Sequence, residues 1–158
     1  MTEVTQEYLD TLKLYYEEEV EGEAYFGALA ERLDDPEEKR KMQMMADVET
    51  YAAASVKPLL DKHGLTARAA ADLHASGRAS AAKATGSFAH FMAEWRKSFP
   101  DYMDDFEALE AMTPPEDLPL LKVLTNHEIA AIEFLEREAK GAANSTAPMQ
   151  HYLETGEA

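Results

Sequence analysis

A chain of 158 residues with 46% apolar content is long enough for one domain with a core of its own, and no apolar run in it reaches membrane-spanning length. Its 31 acidic against 15 basic residues give a formal charge of −16, which repels phosphate backbones; no basic stripe with interleaved aromatics offsets this, so nucleic acid is excluded as a partner. The lack of cysteine removes disulfides, thiolate nucleophiles and sulfur-ligated metals, and "MTEVTQEYLD" has neither the basic nor the apolar region of a signal peptide, so the cytoplasm is the expected compartment.

The spacing predicts a first helix from about Thr5 to Leu33, with Tyr8, Leu12, Tyr15, Glu19, Gly22, Phe26, Leu29 and Leu33 on one face. Asp34-Asp35-Pro36-Glu37-Glu38 then marks a boundary, with Asp35 as N-cap, Pro36 at the first helical position and Glu38 three residues after the cap. A second helix, over 37–63, carries Met42, Met45, Glu49, Ala52, Val56 and Leu59 as its stripe. It stops at Lys62-His63-Gly64, a basic last turn followed by glycine.

Residues 65–86, "LTARAAADLHASGRASAAKATG", hold little large apolar content and are expected to form a long connection with room for one helical piece. The third helix is predicted over 87–112, with Pro100 kinking or breaking it. The fourth, over 115–140, opens at Thr113-Pro114-Pro115-Glu116 and ends at Gly141; its stripe is Leu121, Leu124, Glu128, Ala131 and Leu135. A tail over 142–158 is expected to be loosely held, with Met149 and Tyr152-Leu153 able to pack as a short turn. The expected domain is thus a single bundle over 1–141 followed by that tail.

Two carboxylates interrupt these apolar stripes at matched places. "FGALAE" at 26–31 resembles "FEALEA" at 106–111; 23 residues lead from Phe26 to Glu49, and 22 from Phe106 to Glu128. Each glutamate stands mid-stripe on the second helix of a hairpin.

Hairpin, long crossover and hairpin, together with "EEVEGEAYFGALAERL" followed by "MADVETYAA", resemble the ferritin-like superfamily over roughly residues 5–141. The first hairpin is similar to that of bacterioferritins and rubrerythrins. The resemblance implies an all-α fold, an antiparallel four-helix bundle of two helical hairpins. It also implies a site in which the first helix of each hairpin gives a Glu and the second a Glu-x-x-His. In that family two metal ions sit between these ligands and react with oxygen or peroxide.

Carried over position by position, Glu18 or Glu19 fits the first carboxylate, and Glu49 and Glu128 fit those of the two Glu-x-x-His motifs. Ala52 and Ala131 stand where the histidines would be, and Ser98 or Phe99 where the remaining glutamate would be. His127 neighbours Glu128, but adjacent helix positions diverge by about 100°, so it is expected to reach the site only if the helix is distorted. His63, His74, His90 and His151 fit no paired spacing and are expected to cap helices or face solvent.

Three ionised carboxylates cannot share a dry site unaided. One solution is a carboxylate-rich iron or manganese site completed by His127, Tyr51 or water. The other is a polar cluster whose acids are protonated, bonded to tyrosines such as Tyr15 and Tyr51, or paired with a base. The tyrosines are read as core rather than redox centres. Met42, Met44 and Met45 are read as core filler rather than haem ligands, and the run Glu17-Glu18-Glu19 with Glu21 and Glu23 as mostly a solvated face. Two functions follow from this set. One is a non-catalytic binding or scaffold module with a degenerate di-metal site, self-associating as a dimer. The other is an iron- or manganese-dependent oxidoreductase built on an unusual carboxylate-rich site.

Overall fold

In the computed structural model, which describes residues 3–158, every regular element is helical and there is no strand among the described residues. The first two helices fall where cap chemistry places them. α1 (Gln6–Arg32) starts after Thr5, whose Oγ1 accepts the Tyr8 N–H at 3.1 Å. α2 (Pro36–Lys62) starts after Asp35, whose Oδ1 accepts the Glu37 and Glu38 N–H groups, both at 2.9 Å. The short connection between them turns the chain back, and the two pack along each other. Pro58 lies inside α2 without ending it.

The crossover is more ordered than its composition suggests. α3 (Ala70–Lys83) occupies most of it and packs on α1. Small residues make this contact possible: a Cβ on Gly77 would lie 2.2 Å from the Glu21 carbonyl oxygen, so the backbones of α1 and α3 meet directly. Ser76 Oγ donates to Glu21 Oε2 at 3.0 Å, and the Arg32 guanidinium donates to the Ala81 and Ala84 carbonyls at the C-terminal end of α3. Side chains too small to build a core of their own here serve close approach.

The third predicted helix is two, α4 (Phe88–Ser98) and α5 (Tyr102–Met112), joined by a 3₁₀ turn at Phe99–Asp101 that contains Pro100. α6 (Leu118–Ala139) begins three residues later than its cap sequence implies. Thr113 does not cap it: its hydroxyl donates back to the Leu109 carbonyl at 2.7 Å, closing α5 instead. The tail, expected to be loose, forms α7 (Ala147–Thr155) and packs on α6 and α2. Met149 and Tyr152 are fully buried, the Tyr152 hydroxyl donates to the Val123 carbonyl at 2.9 Å, and Asn126 Nδ2 donates to the Gly156 carbonyl at 3.0 Å.

Around the centre, α1 touches α2, α2 touches α6, α6 touches α4 and α5, and α5 returns to α1. The apolar core inside this ring is divided. One cluster gathers Phe26, Met45, Phe91, Trp95, Phe134 and Tyr152; the other gathers Tyr8, Leu12, Val56, Phe106, Leu121 and Leu124. Between Tyr15 and Phe26 on α1, Met45 and Ala52 on α2, and Leu124 and Ala130 on α6, each chain segment crosses from one cluster to the other. Glu19, Glu49, His127 and Glu128 all lie in those crossings. No helix among the described residues is long and apolar enough to cross a membrane.

Candidate metal centre

The layer between the two apolar clusters is acidic and almost dry. Glu19 from α1 is 5% exposed, and His127 and Glu128 from α6 are 2% and 7% exposed; the Glu49 side chain from α2 is 15% exposed. His127 Nε2 lies 2.8 Å from Glu19 Oε2, 3.5 Å from Glu49 Oε2 and 3.8 Å from Glu128 Oε2. Gly22, one turn beyond Glu19, makes the space for this meeting: a Cβ there would stand 3.2 Å from Glu49 Cδ.

The imidazole is held from behind. Its Nδ1–H donates to the Leu124 carbonyl one turn earlier, and its ring meets Phe106 edge-on with centroids 5.6 Å apart. A carbonyl can only accept, so Nδ1 carries a proton and Nε2 faces the carboxylates with either a second proton or a lone pair. A lone pair directed at ionised carboxylates would be repelled, so Nε2 holds a proton, faces a cation, or accepts from a carboxyl that is itself protonated. A ring nitrogen fixed by a backbone acceptor while the other faces an anionic pocket is the arrangement that metal-binding histidines adopt.

The carboxylates are not satisfied by the protein. Glu19 Oε2 approaches Nε2 closely but without hydrogen-bond alignment, and it, Glu49 Oε2 and Glu128 Oε1 are buried with no hydrogen-bond partner. Such atoms are costly unless something outside the chain occupies the space between them. Burial alone would lower the His127 pKa, but the charge and contact of Glu19, with help from Glu128 and the Leu124 carbonyl, carry it up to about 9. For Glu128, burial raises the pKa and the charge of Glu19 adds to it, while His127 opposes; the outcome is about 7. Donor atoms of Glu19, Glu49 and His127 all fall within 4.8 Å of one another, a spread that suits the shell of one ion.

His127 corrects the sequence expectation. α6 runs unbroken through it, yet both His127 and Glu128 reach the layer. The inward face of α6 is wide enough to bury two adjacent residues, and the long imidazole spans the sideways offset that a 100° step produces. Of the two first-helix candidates, Glu19 is in the cluster; Glu18 is exposed at its edge, with its pKa raised by partial desolvation and then by the charges of Glu19, Glu21 and Asp105. Tyr51 packs against Tyr152 with ring centroids 5.0 Å apart and is not among the residues around the cavity. Ala52 and Ala131, buried at the two places where the resemblance would put histidines, offer no ligand atom.

The cluster forms one wall of a cavity of about 400 Å³: Glu19, Glu49, His127 and Glu128 all line it, with the rest of its lining from α1 and the α4–α5 segment. Ser98 and Phe99 line it, and the exposed residues Glu18, Ser98 and Tyr102 form its mouth.

A second polar group was not anticipated from the sequence. Asp117 is fully buried before α6 and accepts from the Tyr8 hydroxyl at 2.8 Å, from Lys62 Nζ at 2.5 Å and from His63 Nε2 at 2.7 Å. Burial opposes ionisation, but these three bonds hold its pKa below the ordinary range. His63, expected as a cap or surface residue, thus ties the end of α2 to the start of α6. A tyrosine on the apolar stripe of α1 and a basic pair closing α2 were the only sequence signals.

Comparison of the chain with protein-family models, with curated proteins and with solved structures gives no match.

Proposed function

We propose that the protein is a metal-binding module that takes one divalent iron or manganese ion between Glu19, Glu49 and His127, within a helical bundle of ferritin-like type. The observation that carries this reading is the convergence on His127 Nε2 of buried carboxylate oxygens that no protein donor satisfies. One imidazole with several carboxylates favours iron or manganese over metals that prefer sulfur. Glu128 stands beside the three as a further carboxylate, and the Leu124 carbonyl keeps the imidazole oriented. Bound iron would supply one-electron exchange with oxygen or peroxide. The residues of the chain hold the ion, exclude water from two sides, and leave one side open through the cavity. That opening favours an oxidoreductase as the second reading, since a small molecule has a route to the ion. Two hairpins separated by a crossover support the ferritin-like type, with α3 as an added helix on α1.

The test is metal content after exposure to manganese(II), or to iron(II) without oxygen, followed by desalting. One ion per chain is expected, with Glu49→Gln and His127→Leu each losing most of it and Glu18→Gln retaining it. Failure to retain metal, or equal loss in Glu18→Gln, would remove the proposal.

A further inference from the structure

The cavity has a composition that one inorganic ion does not account for. Its charged lining is acidic apart from His127, and neither lysine nor arginine borders it. Glu18 and Glu21 stand on the α1 side. Glu128, outside the Glu19–Glu49–His127 group, is more than nine-tenths buried and presents an Oε1 with no hydrogen-bond partner. The opposite wall is aromatic, with Trp95, Phe99 and Tyr102 from the α4–α5 segment, and Tyr25 of α1 adds a ring on the acidic side.

The wall is built in advance. Trp95 stacks between Phe91 and Phe99, with interplanar angles of 19° and 17°, and Phe26 meets it nearly at right angles. With both its faces covered by these neighbours, Trp95 offers its apolar body to carbon, and cations are attracted to ring faces that are left uncovered, where the electrostatic potential is negative. Anions are repelled from such a space, and a neutral apolar molecule would leave Glu128 unsatisfied. A bare ion would satisfy Glu128 but would leave the aromatic walls facing water. The volume, about 400 Å³, lies in the range of small-molecule sites.

We infer that the cavity binds a small organic ammonium ion, its N–H groups directed at Glu128 and its carbon body against the aromatic wall formed by Trp95, Phe99 and Tyr102. This goes beyond the metal reading and does not require it: Glu128 and the aromatic wall are not among the three proposed ion ligands, which line the inner end of the same cavity.

Trp95 is the single tryptophan of the chain and borders the cavity, so its fluorescence reports occupancy. The full-length protein, with and without one equivalent of manganese(II), would be titrated with benzylammonium, benzyl alcohol and benzoate, and metal content measured on the same samples. Benzylammonium should give a saturable change, benzyl alcohol should bind roughly tenfold more weakly for want of a charge-assisted bond, and benzoate should give none. In the protein without manganese, Glu128→Gln should weaken benzylammonium roughly tenfold. Tyr102→Leu, at an exposed position of the mouth, should weaken it roughly threefold. Equal affinity for benzyl alcohol, unchanged affinity in Glu128→Gln, a second manganese ion that blocks the response, or no saturable change would each overturn the inference. Retained manganese without an ammonium response removes this inference alone. An ammonium response in protein that holds no metal removes the ion reading alone.

Discussion

Two buried acidic groups in this protein meet the cost of burial in opposite ways. Asp117 is surrounded by donors from its own chain: the Tyr8 hydroxyl, Lys62 and His63. The Glu19, Glu49 and Glu128 cluster has a single base, His127, for three carboxylates, and each carboxylate keeps a buried oxygen without a hydrogen bond. The first group is complete and holds α1, α2 and α6 together. The second is incomplete as the chain stands, and an incomplete buried polar group points to something that arrives from outside.

The largest effect should come from breaking the complete group. Asp117→Ala leaves a tyrosine hydroxyl and two bases near a buried void, and should cost about 3 kcal/mol or more in chemical denaturation, with or without metal. A loss below 1 kcal/mol would mean that the group is held by solvent and not by Asp117. In the other group, saturating manganese(II) at about a hundred times its Kd should add about 2.7 kcal/mol, a gain absent from Glu49→Gln and retained in Asp117→Asn.

A smaller effect is expected at Gly22. A methyl group there would stand 3.2 Å from Glu49 Cδ, so Gly22→Ala should shift the Glu49 carboxylate and lower metal affinity, while in the metal-free protein the helix gain of about 1 kcal/mol offsets the contact. Were metal affinity unchanged, Glu49 would have room to spare and its placement would not depend on Gly22. Glu49→Gln without metal should be the mildest, changing stability by less than about 1 kcal/mol near neutral pH, because it removes a charge from an unsatisfied cluster while preserving shape.

The pH dependences should run in opposite directions. The Asp117 pKa is lowered on folding, so its stabilisation is present above the ordinary Asp value of about 3.9 and is lost as pH falls through the folded value. The His127 pKa is raised to about 9; in metal-free protein its stabilisation is full below the ordinary His value of about 6.5 and is lost as pH rises through about 9. Denaturation curves across pH should therefore show an acid-side loss that Asp117→Asn removes and an alkaline-side loss that His127→Leu removes. The same curve from both variants would erase the distinction between the groups.

The sequence makes the two groups unequally visible, for physical reasons. Glu19, Glu49 and Glu128 stand out because each interrupts a helical stripe of apolar residues, and periodicity is a local property. Asp117 finds Tyr8 across 109 positions of chain, and no spacing rule reaches that far. His127 is named from the sequence only on condition of a distorted helix, and that condition is wrong because treating side chains as rays from the helix axis ignores how far an imidazole extends and how wide a buried face can be. The starts of α1 and α2 are legible because Thr5 and Asp35 act within one turn. The packing of α3 is not, because a glycine that admits a neighbouring backbone looks in sequence like one that weakens a helix. Tyr152 is marked in the sequence as able to pack, but the carbonyl on α6 that takes its hydroxyl is not.

The central claim is that the incomplete group is completed by one ion. Anomalous diffraction from crystals soaked in manganese(II), recorded near the manganese edge, tests it most directly. A single strong peak within bonding distance of His127 Nε2 and of oxygens from Glu19 and Glu49 is expected. Two peaks in the layer, or none there while exposed carboxylates elsewhere are occupied, would contradict it.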